Sequence, residues 1–255
     1  MFFLYLIYSM ALELPPNATP DREKAILDYI TQGTYEMTWA TLTSDANGHH
    51  AEFNVFADAL KIEGVRINVS AQNEQTIADM LGCMLLTPKL ADLIWIQRDC
   101  TIKPFPRPIT ATTQAMIAHS SDIDNALAKL TAQPTLVSTV GKHWVLDNDL
   151  LAHPGRAENY GWHFTGNIGI PPETAVTKDP QGHFITMIQG RGWAHDMHEV
   201  DYSQTCVLVS KACKVDGQDT DLATVLQDPT LCALASHNGP LKLLRQPGVP
   251  EAAPL

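Results

Sequence analysis

The stretch Tyr35–Phe56, which reads YEMTWATLT-SDANG-HHAEFNVF, decides the fold prediction. Polar and apolar residues alternate in Tyr35–Thr43 and again in His49–Phe56, as expected for strands with one buried face. The intervening segment Ser44–Gly48 ends in Asn-Gly, a pair that favours tight hairpin turns. Leu60–Val69 continues as a further strand or strand pair, broken at Glu63-Gly64. The sequence therefore predicts an antiparallel meander over residues 35–70.

Helical signals flank this meander. Thr19-Pro20 predicts a helix that begins there and ends near Gly33, because the hydroxyl can cap it and proline suits its first turn. Further helices are predicted over Asn73–Leu81, from Thr87-Pro88 through Trp95, over Thr112–His119 and over Asp122–Ala132. Pro104, Pro106 and Pro108 enforce an extended link between them.

The second half is predicted to be rich in strands. Candidate strands are Thr135–Val140, Tyr160–Thr165, His183–Ile188 and Thr205–Val209, followed by short helices over Asp221–Leu226 and Pro229–Ala235. Helices in one block between strand-rich halves favour an α+β fold with antiparallel sheets. We expect a single domain over residues 16–240, and a poorly packed tail over 241–255 because that end is rich in proline.

Composition excludes some partners. The formal net charge is −11 with only 17 Lys and Arg in 255 residues, and no two of these basic residues are adjacent. Binding to nucleic acid or to an anionic membrane needs clustered positive charge, so we expect neither. A small-molecule or polymer substrate remains the expected partner, and no pattern in the sequence indicates an oligomeric state.

Residues 1–15 begin with the apolar run MFFLYLIY. This run is far too short to span a bilayer, so no transmembrane segment is expected. It is either signal-like or a packed first element, since small residues follow but no basic residue precedes it. Secretion and a cytoplasmic location are therefore equally compatible with the sequence.

The five cysteines are not spaced as in zinc ribbons or thioredoxin-like motifs. A buried thiol is the expected state of each one taken singly. One or two disulfides stay open as an alternative if the chain is secreted.

Groups capable of chemistry concentrate between Tyr160 and Cys206, which hold four of the ten histidines and two of the five tryptophans. A serine nucleophile needs a base within hydrogen-bond reach and an acid that orients the base. We expect Ser203 as nucleophile or oxyanion donor, His163 or His195 as base, and Asp201 as the orienting acid. The expected substrate-binding residues are His143, Tyr160, Trp162 and Tyr202.

Two other hypotheses about the function of this cluster remain open. The cluster could instead hold a divalent metal such as zinc, with His163, His195, His198 and Asp201 as ligands. The preferred hypothesis of a serine nucleophile needs no cofactor. In a non-catalytic glycan- or surface-binding module, Trp162 and Trp193 would form an open stacking platform. The segment around His195 and His198 could also be an ordinary polar surface loop.

Several short motifs recur in an order that resembles a family of uncharacterised bacterial proteins. That family has the patterns D-Y-L, T-A-x-x-I-A-D, L-P-T-x-K, Y-G-W-H and D-Y-S-H-G-I-R-L. The matching segments here are Asp58-Ala59-Leu60, Thr76-Ile77-Ala78-Asp79, Leu86-Thr87-Pro88-Lys89, Tyr160-Gly161-Trp162-His163 and Asp201-Tyr202-Ser203. The resemblance, over about residues 20–210, implies a shared fold and site but no activity.

Within this resemblance His143, His163, His195, Asp201 and Ser203 fall on matching positions, whereas His198 does not. The chain has Gln204-Thr205 where the family has His-Gly. The preferred prediction is a hydrolase or transferase acting on an ester, amide or glycosidic bond, such as those of a cell-wall or other extracellular polymer.

Overall fold

The computed structural model describes residues 12–138, 140–165, 175–178, 182 and 184–255. The predicted N-terminal segment 1–15 therefore lies mostly outside the described residues, as do Thr139 and His183. The fold is α+β with antiparallel sheets, as the sequence predicts.

The first sheet contains the predicted hairpin. Strands β1 (Trp39–Ala46) and β2 (His49–Phe56) pair antiparallel, with Ala46 opposite His49. Asn47 and Gly48 both have positive φ, as a two-residue turn of the hairpin type requires. The sheet is completed by β5 (Cys83–Leu85), β12 (Leu208–Val215) and β13 (Gln218–Asp221), in the order β1-β2-β12 with β5 and β13 sharing the far edge of β12.

The second sheet carries most of the predicted chemical groups. Its order is β10-β11-β9-β8, antiparallel throughout, and the strands span Ala175–Lys178, Phe184–Asp196, Arg156–Phe164 and Lys142–Val145. Strand β11 is longer than predicted because it continues through Gly190 and Gly192. Its pairing with β9 shifts register there, as at a β-bulge, which accommodates the extra residues. His195 thus lies on a strand rather than on a surface loop.

Two small strand pairs complete the sheets. Strands β3 (Lys61–Ile62) and β4 (Val65–Arg66) form the predicted break at Glu63-Gly64 as a tight hairpin. Strands β6 (Cys100–Thr101) and β7 (Val137–Ser138) pair in parallel.

Side chains of Ser70, Thr87, Thr112 and Asp221 cap four of the five described helices, whereas Thr19 begins the first helix without the predicted hydroxyl hydrogen bond. The helices are α1 (Pro20–Thr31), α2 (Ala71–Met80), α3 (Pro88–Gln97), α4 (Thr113–Leu127) and α5 (Leu222–Gln227), with 3₁₀ turns over Asn148–Ala152 and Cys232–Leu234. Helix α4 replaces two predicted helices with one. Its buried residues Met116, His119, Ser120 and Ile123 form one continuous stripe, so Ser120 and Ser121 do not interrupt it.

The prediction of a poorly packed tail over 241–255 is wrong. Leu241 is buried, and its amide donates to the carbonyl of Leu226 at 2.8 Å. Gln246 is also buried and bonds Gln75 and the carbonyl of Arg156. Scattered Leu, Val and Gln side chains anchor this segment although it lacks regular secondary structure.

All five cysteines (Cys83, Cys100, Cys206, Cys213 and Cys232) are buried free thiols. The alternative of one or two disulfides therefore does not hold. In the described part of the chain, no helix combines the length and apolarity needed to cross a membrane.

Candidate active site

Asp92 is the centre of a hydrogen-bonded cluster beneath a surface cleft. One carboxylate oxygen, Oδ1, lies 2.8 Å from the hydroxyl of Tyr160 and 2.8 Å from Nε2 of His163. The other, Oδ2, lies 2.8 Å from Nε2 of His237. A single buried carboxylate thus holds two imidazole rings and a phenol.

Helix α3 places Asp92 in the interior. Thr87 caps the helix by accepting from the amide of Leu90, and Pro88 occupies its first turn. The helix is largely apolar and buried along its length, so its one carboxylate points into the protein instead of into solvent. Trp95, one turn further along, stacks on His163 with ring centroids 5.7 Å apart.

An irregularity in β9 brings Tyr160 and His163 to the same side. Residues three apart on a regular strand point to opposite faces. Gly161 and Trp162 have φ of 103° and 59°, which turns the backbone so that both neighbours reach Asp92. Trp162 is not a glycine, so its left-handed backbone is strained, and such strain is commonest at functional sites.

The cluster keeps Asp92 ionised. Burial alone would raise the pKa of this carboxyl, but hydrogen bonds from His163 and His237 outweigh burial and lower the pKa below its ordinary value. Burial and the adjacent Asp92 charge raise the pKa of Tyr160, so its hydroxyl stays protonated and donates. The centre is therefore a negative charge surrounded by three donors.

His143 lies beside this cluster as a neutral ring. Burial, and then the proximity of His163, lower the pKa of His143 to about 3, although a hydrogen bond with the Thr205 backbone acts the other way. Its Nδ1 is buried, and no group in the described part of the chain hydrogen-bonds to it. A Cβ on Gly161 would lie 3.2 Å from His143 Cδ2 and 3.6 Å from His163 Cε1, so glycine leaves room for both rings.

His237 connects the cluster to the outside. Its side chain is 45% exposed, whereas that of Asp92 is 4% exposed. Both residues line a cleft of about 340 Å³, together with Tyr160, Lys178, Arg191 and Asn238. A ligand in this cleft can reach His237 directly.

Arg191 on the same cleft is held in place by carboxylates. It contacts Asp147 at 2.8 Å, Asp149 at 2.9 Å and Glu158 at 2.6 Å. Burial raises the pKa of Glu158 to about 6 even though Arg191 opposes this shift. The guanidinium is thus rigidly oriented at the cleft wall.

The predicted serine triad does not form. Asp201 accepts from the amide and the hydroxyl of Ser203, at 2.8 and 2.7 Å, and from Lys142 Nζ at 2.7 Å. Among the described residues, neither His163 nor His195 hydrogen-bonds to Asp201 or Ser203. Asp201 and Ser203 instead form a local turn, as such residue pairs commonly do.

His195 belongs to a different face of the second sheet. Its Nδ1 lies 2.9 Å from Glu199, and its ring meets the edge of Trp144. Adjacent strand residues point to opposite faces, so Lys142 and Trp144 share the His195 face whereas His143 shares the Asp92 face. Strand alternation thus separates the two histidines proposed as base.

The predicted substrate-binding residues are divided as well. His143 and Tyr160 lie at the Asp92 cluster, but Trp162 is buried, as is Tyr202, whose hydroxyl bonds the backbone of Arg107. Trp193 stacks on His153 at 4.8 Å. Since Trp162 is buried, the open Trp162–Trp193 platform of a binding module is not formed.

The predicted metal site is not assembled either. Within the described ranges, no group of three or more His, Cys, Asp or Glu side chains is placed to hold a metal ion. His163, His195 and Asp201 engage Asp92, Glu199 and Lys142 respectively. His198 bonds Asp196 through its backbone amide.

No role was predicted from the sequence for either Asp92 or His237. A signal for Asp92 was present, because it is a lone carboxylate in the otherwise apolar run LADLIW. His237 carried no such signal, since it lies 145 residues from its partner. The chain matches no protein-family model, no curated protein and no solved structure, so these contacts are what identifies the site.

Proposed function

We propose that the chain is a hydrolase or transferase that acts on an ester, amide or glycosidic bond, with His237 as general base and Asp92 as its orienting acid. The observation that carries this proposal is the Asp92 carboxylate with two imidazoles and a tyrosine at 2.8 Å. A buried carboxylate against one imidazole nitrogen fixes the ring and stabilises its protonated form.

The nucleophile would be a water molecule or a second substrate and not a side chain of the protein. Ser203 is buried and its hydroxyl already donates to Asp201, so it is not available to attack a substrate. His237 faces the cleft and would take a proton from a water molecule or from the hydroxyl of an acceptor. Water gives hydrolysis and an acceptor hydroxyl gives transfer.

The remaining groups support this proton transfer. His163 and Tyr160 occupy Oδ1 of Asp92, which leaves Oδ2 for His237 and prevents the carboxylate from rotating. Lys178 and Arg191 line the same cleft and offer N–H donors to charge that develops on a substrate oxygen.

A substrate panel tests the proposal. Purified protein would be incubated with chromogenic esters, amides and glycosides, and the best substrate would be carried forward to His237→Asn and Asp92→Asn. Loss of a general base typically lowers kcat by roughly 10²–10⁴-fold. We expect losses of this order for both variants, with cooperative unfolding retained.

Ser203→Ala is the discriminating control. It should keep kcat within about tenfold of the wild type, since the turn it stabilises is away from the Asp92 face. Abolished turnover in Ser203→Ala together with full turnover in His237→Asn would contradict His237 as the general base. It would support Ser203 as the nucleophile instead.

A further inference from the structure

A second cleft lies on the opposite face of the second sheet. Its volume is about 500 Å³, and the polar residues on its wall include Lys142, Gln189, His195, Asp201 and Gln204. Lys142 and His143 are consecutive on β8, so their side chains leave the sheet on opposite sides. The cleft is thus separate from the Asp92 cluster.

Gln204 lines this cleft and carries a side-chain donor that is unused. Its Oε1 accepts from the amide of Asp201 at 2.7 Å, which orients the side-chain amide. Its Nε2 is buried and has no hydrogen-bond partner among the described residues, and Gln204 as a whole is only 1% exposed. A buried donor of this kind calls for a missing acceptor.

Lys142 is fixed next to Gln204. The backbone of Lys142 donates to the carbonyl of Ser203 at 2.7 Å and accepts from Thr205 at 3.1 Å, which makes a parallel bridge between Lys142 and Gln204. The ammonium group is largely buried and uses one proton on Asp201, which leaves two for a ligand.

The charges of the cleft favour an uncharged ligand. At the buried Lys142–Asp201 pair the two charges offset each other, so a charged ligand would meet no unpaired countercharge there, whereas Glu199 lies at the exposed rim and is hydrogen-bonded to His195 Nδ1. The wall offers donors at Lys142 and Gln204 and acceptors at Asp201 and Glu199. An amide group answers both requirements, because its carbonyl accepts and its N–H donates.

We propose that this cleft binds an uncharged amide-bearing ligand whose carbonyl oxygen is held by Gln204 Nε2 and Lys142 Nζ. The site goes beyond the proposed function, because it uses none of the Asp92 cluster. The amide can be a peptide bond or the acetamido group of an amino sugar, and both present the same atoms.

The test uses the full chain and binding as its readout. The probes are N-acetyl-alanyl-alanine amide, N,N′-diacetylchitobiose and, as a control without amides, cellobiose. Binding would be followed by the nitrogen-15 NMR signals of the Gln204 side-chain amide. We expect one of the amide probes to shift these signals and cellobiose to leave them unchanged. The amide probe that binds shows whether the ligand is a peptide or an amino sugar.

Two variants locate the site. Gln204→Glu keeps the acceptor for the Asp201 amide but removes the donor, and Lys142→Met keeps most of the side-chain length. Each should weaken binding of the amide probe by about tenfold or more, the effect of losing one hydrogen bond to a buried partner. His237→Asn, on the other face, should bind as tightly as the wild type.

The proposal is overturned if neither amide probe binds at millimolar concentration, if cellobiose binds equally well, or if both variants bind like the wild type. A misfolded Gln204→Glu would be recognised by loss of its cooperative thermal transition, and Lys142→Met then decides. Since turnover is not measured, failure here is distinguishable from failure of the proposed hydrolytic function.

Discussion

A methyl group on Gly161 would contact the rings of both His143 and His163, and the φ of Gly161 is 103°, where side chains are disfavoured. This position therefore combines backbone strain with crowding at the Asp92 cluster. The neighbouring Trp162 shows that the surrounding structure can hold a non-glycine residue at positive φ.

Gly161→Ala should lower the free energy of unfolding by about 1–3 kcal/mol, because the new Cβ is strained and displaces His143. Chemical denaturation measures the change. Gly155→Ala is the matched control, since Gly155 also has positive φ but none of the residues that the structure describes lies within 4 Å of a Cβ placed there. Equal losses in the two variants would show that crowding of the rings is unimportant.

His143 makes stability depend on pH. Its pKa of about 3 lies below the value near 6.5 of an unfolded histidine, so only the unfolded chain takes up this proton as the pH falls below 6.5. Stability is therefore full above pH 6.5 and declines on acidification, by up to about 1.4 kcal/mol per pH unit for this group.

His143→Gln should flatten the plot of unfolding free energy against pH between pH 6.5 and 4.5 by about that slope. Equilibrium denaturation at several pH values measures it. Glu158, whose pKa is raised to about 6, acts in the opposite sense between pH 6 and 4.5 but is present in both proteins and cancels in the difference. Parallel curves would contradict a neutral buried His143.

At the scale of elements, local signals located helices and hairpins well. Thr19-Pro20 and Thr87-Pro88 start helices where predicted, and Asn47-Gly48 closes the hairpin. These features depend on neighbours in sequence, such as a cap or a turn with positive φ.

The site was much less predictable. Tyr160, His163 and His143 were named as candidates, but Asp92, the common partner of Tyr160 and His163, lies 68 and 71 residues from them in sequence. Local periodicity carries no information about such pairings. A pattern of alternating residues also predicts a regular strand. The positive φ at Gly161 and Trp162 breaks this regularity and places Tyr160 and His163 on the same face.

The C-terminal segment is an element without regular structure that still stabilises the fold. Deleting residues 241–255 should cost at least about 3 kcal/mol, because Leu241, Leu243 and Val249 lose their buried positions and Arg245 its ion pair with Asp79. Thermal and denaturant unfolding would measure the loss.

A shorter deletion of residues 253–255 is the control for that truncation. These three residues are exposed, and their one hydrogen bond to other described residues runs from the Leu255 amide to the carbonyl of Met80. We expect a change of about 1 kcal/mol or less. Equal stability of the long truncation and the full chain would mean that residues 241–255 do not stabilise the fold.

At the scale of the whole molecule, the second sheet separates two polar centres. Asp92, His163 and His237 lie on one side, and Lys142 with Gln204 lies on the other. The acidic chain, with a net charge of −11, buries its few internal cations against specific carboxylates on both sides.

Because no hydrogen bond among the described residues joins Asp92, His163 or His237 directly to Lys142 or Gln204, variants of the two centres should act independently. The double variant His237→Asn/Gln204→Glu should have an unfolding free energy within about 0.5 kcal/mol of the sum of the single effects. A double-mutant cycle by chemical denaturation measures the coupling. A larger coupling would indicate that the sheet transmits changes between the two clefts.

The buried thiols can report on local opening of the fold. Burial raises the pKa of Cys83 to about 12 and that of Cys206 well above its ordinary value, so an alkylating reagent meets neither an accessible sulfur nor a thiolate in the folded chain. Labelling must wait for an opening event. The order in which Cys100, Cys232 and Cys206 become alkylated would therefore rank the regions around them by how readily each one opens.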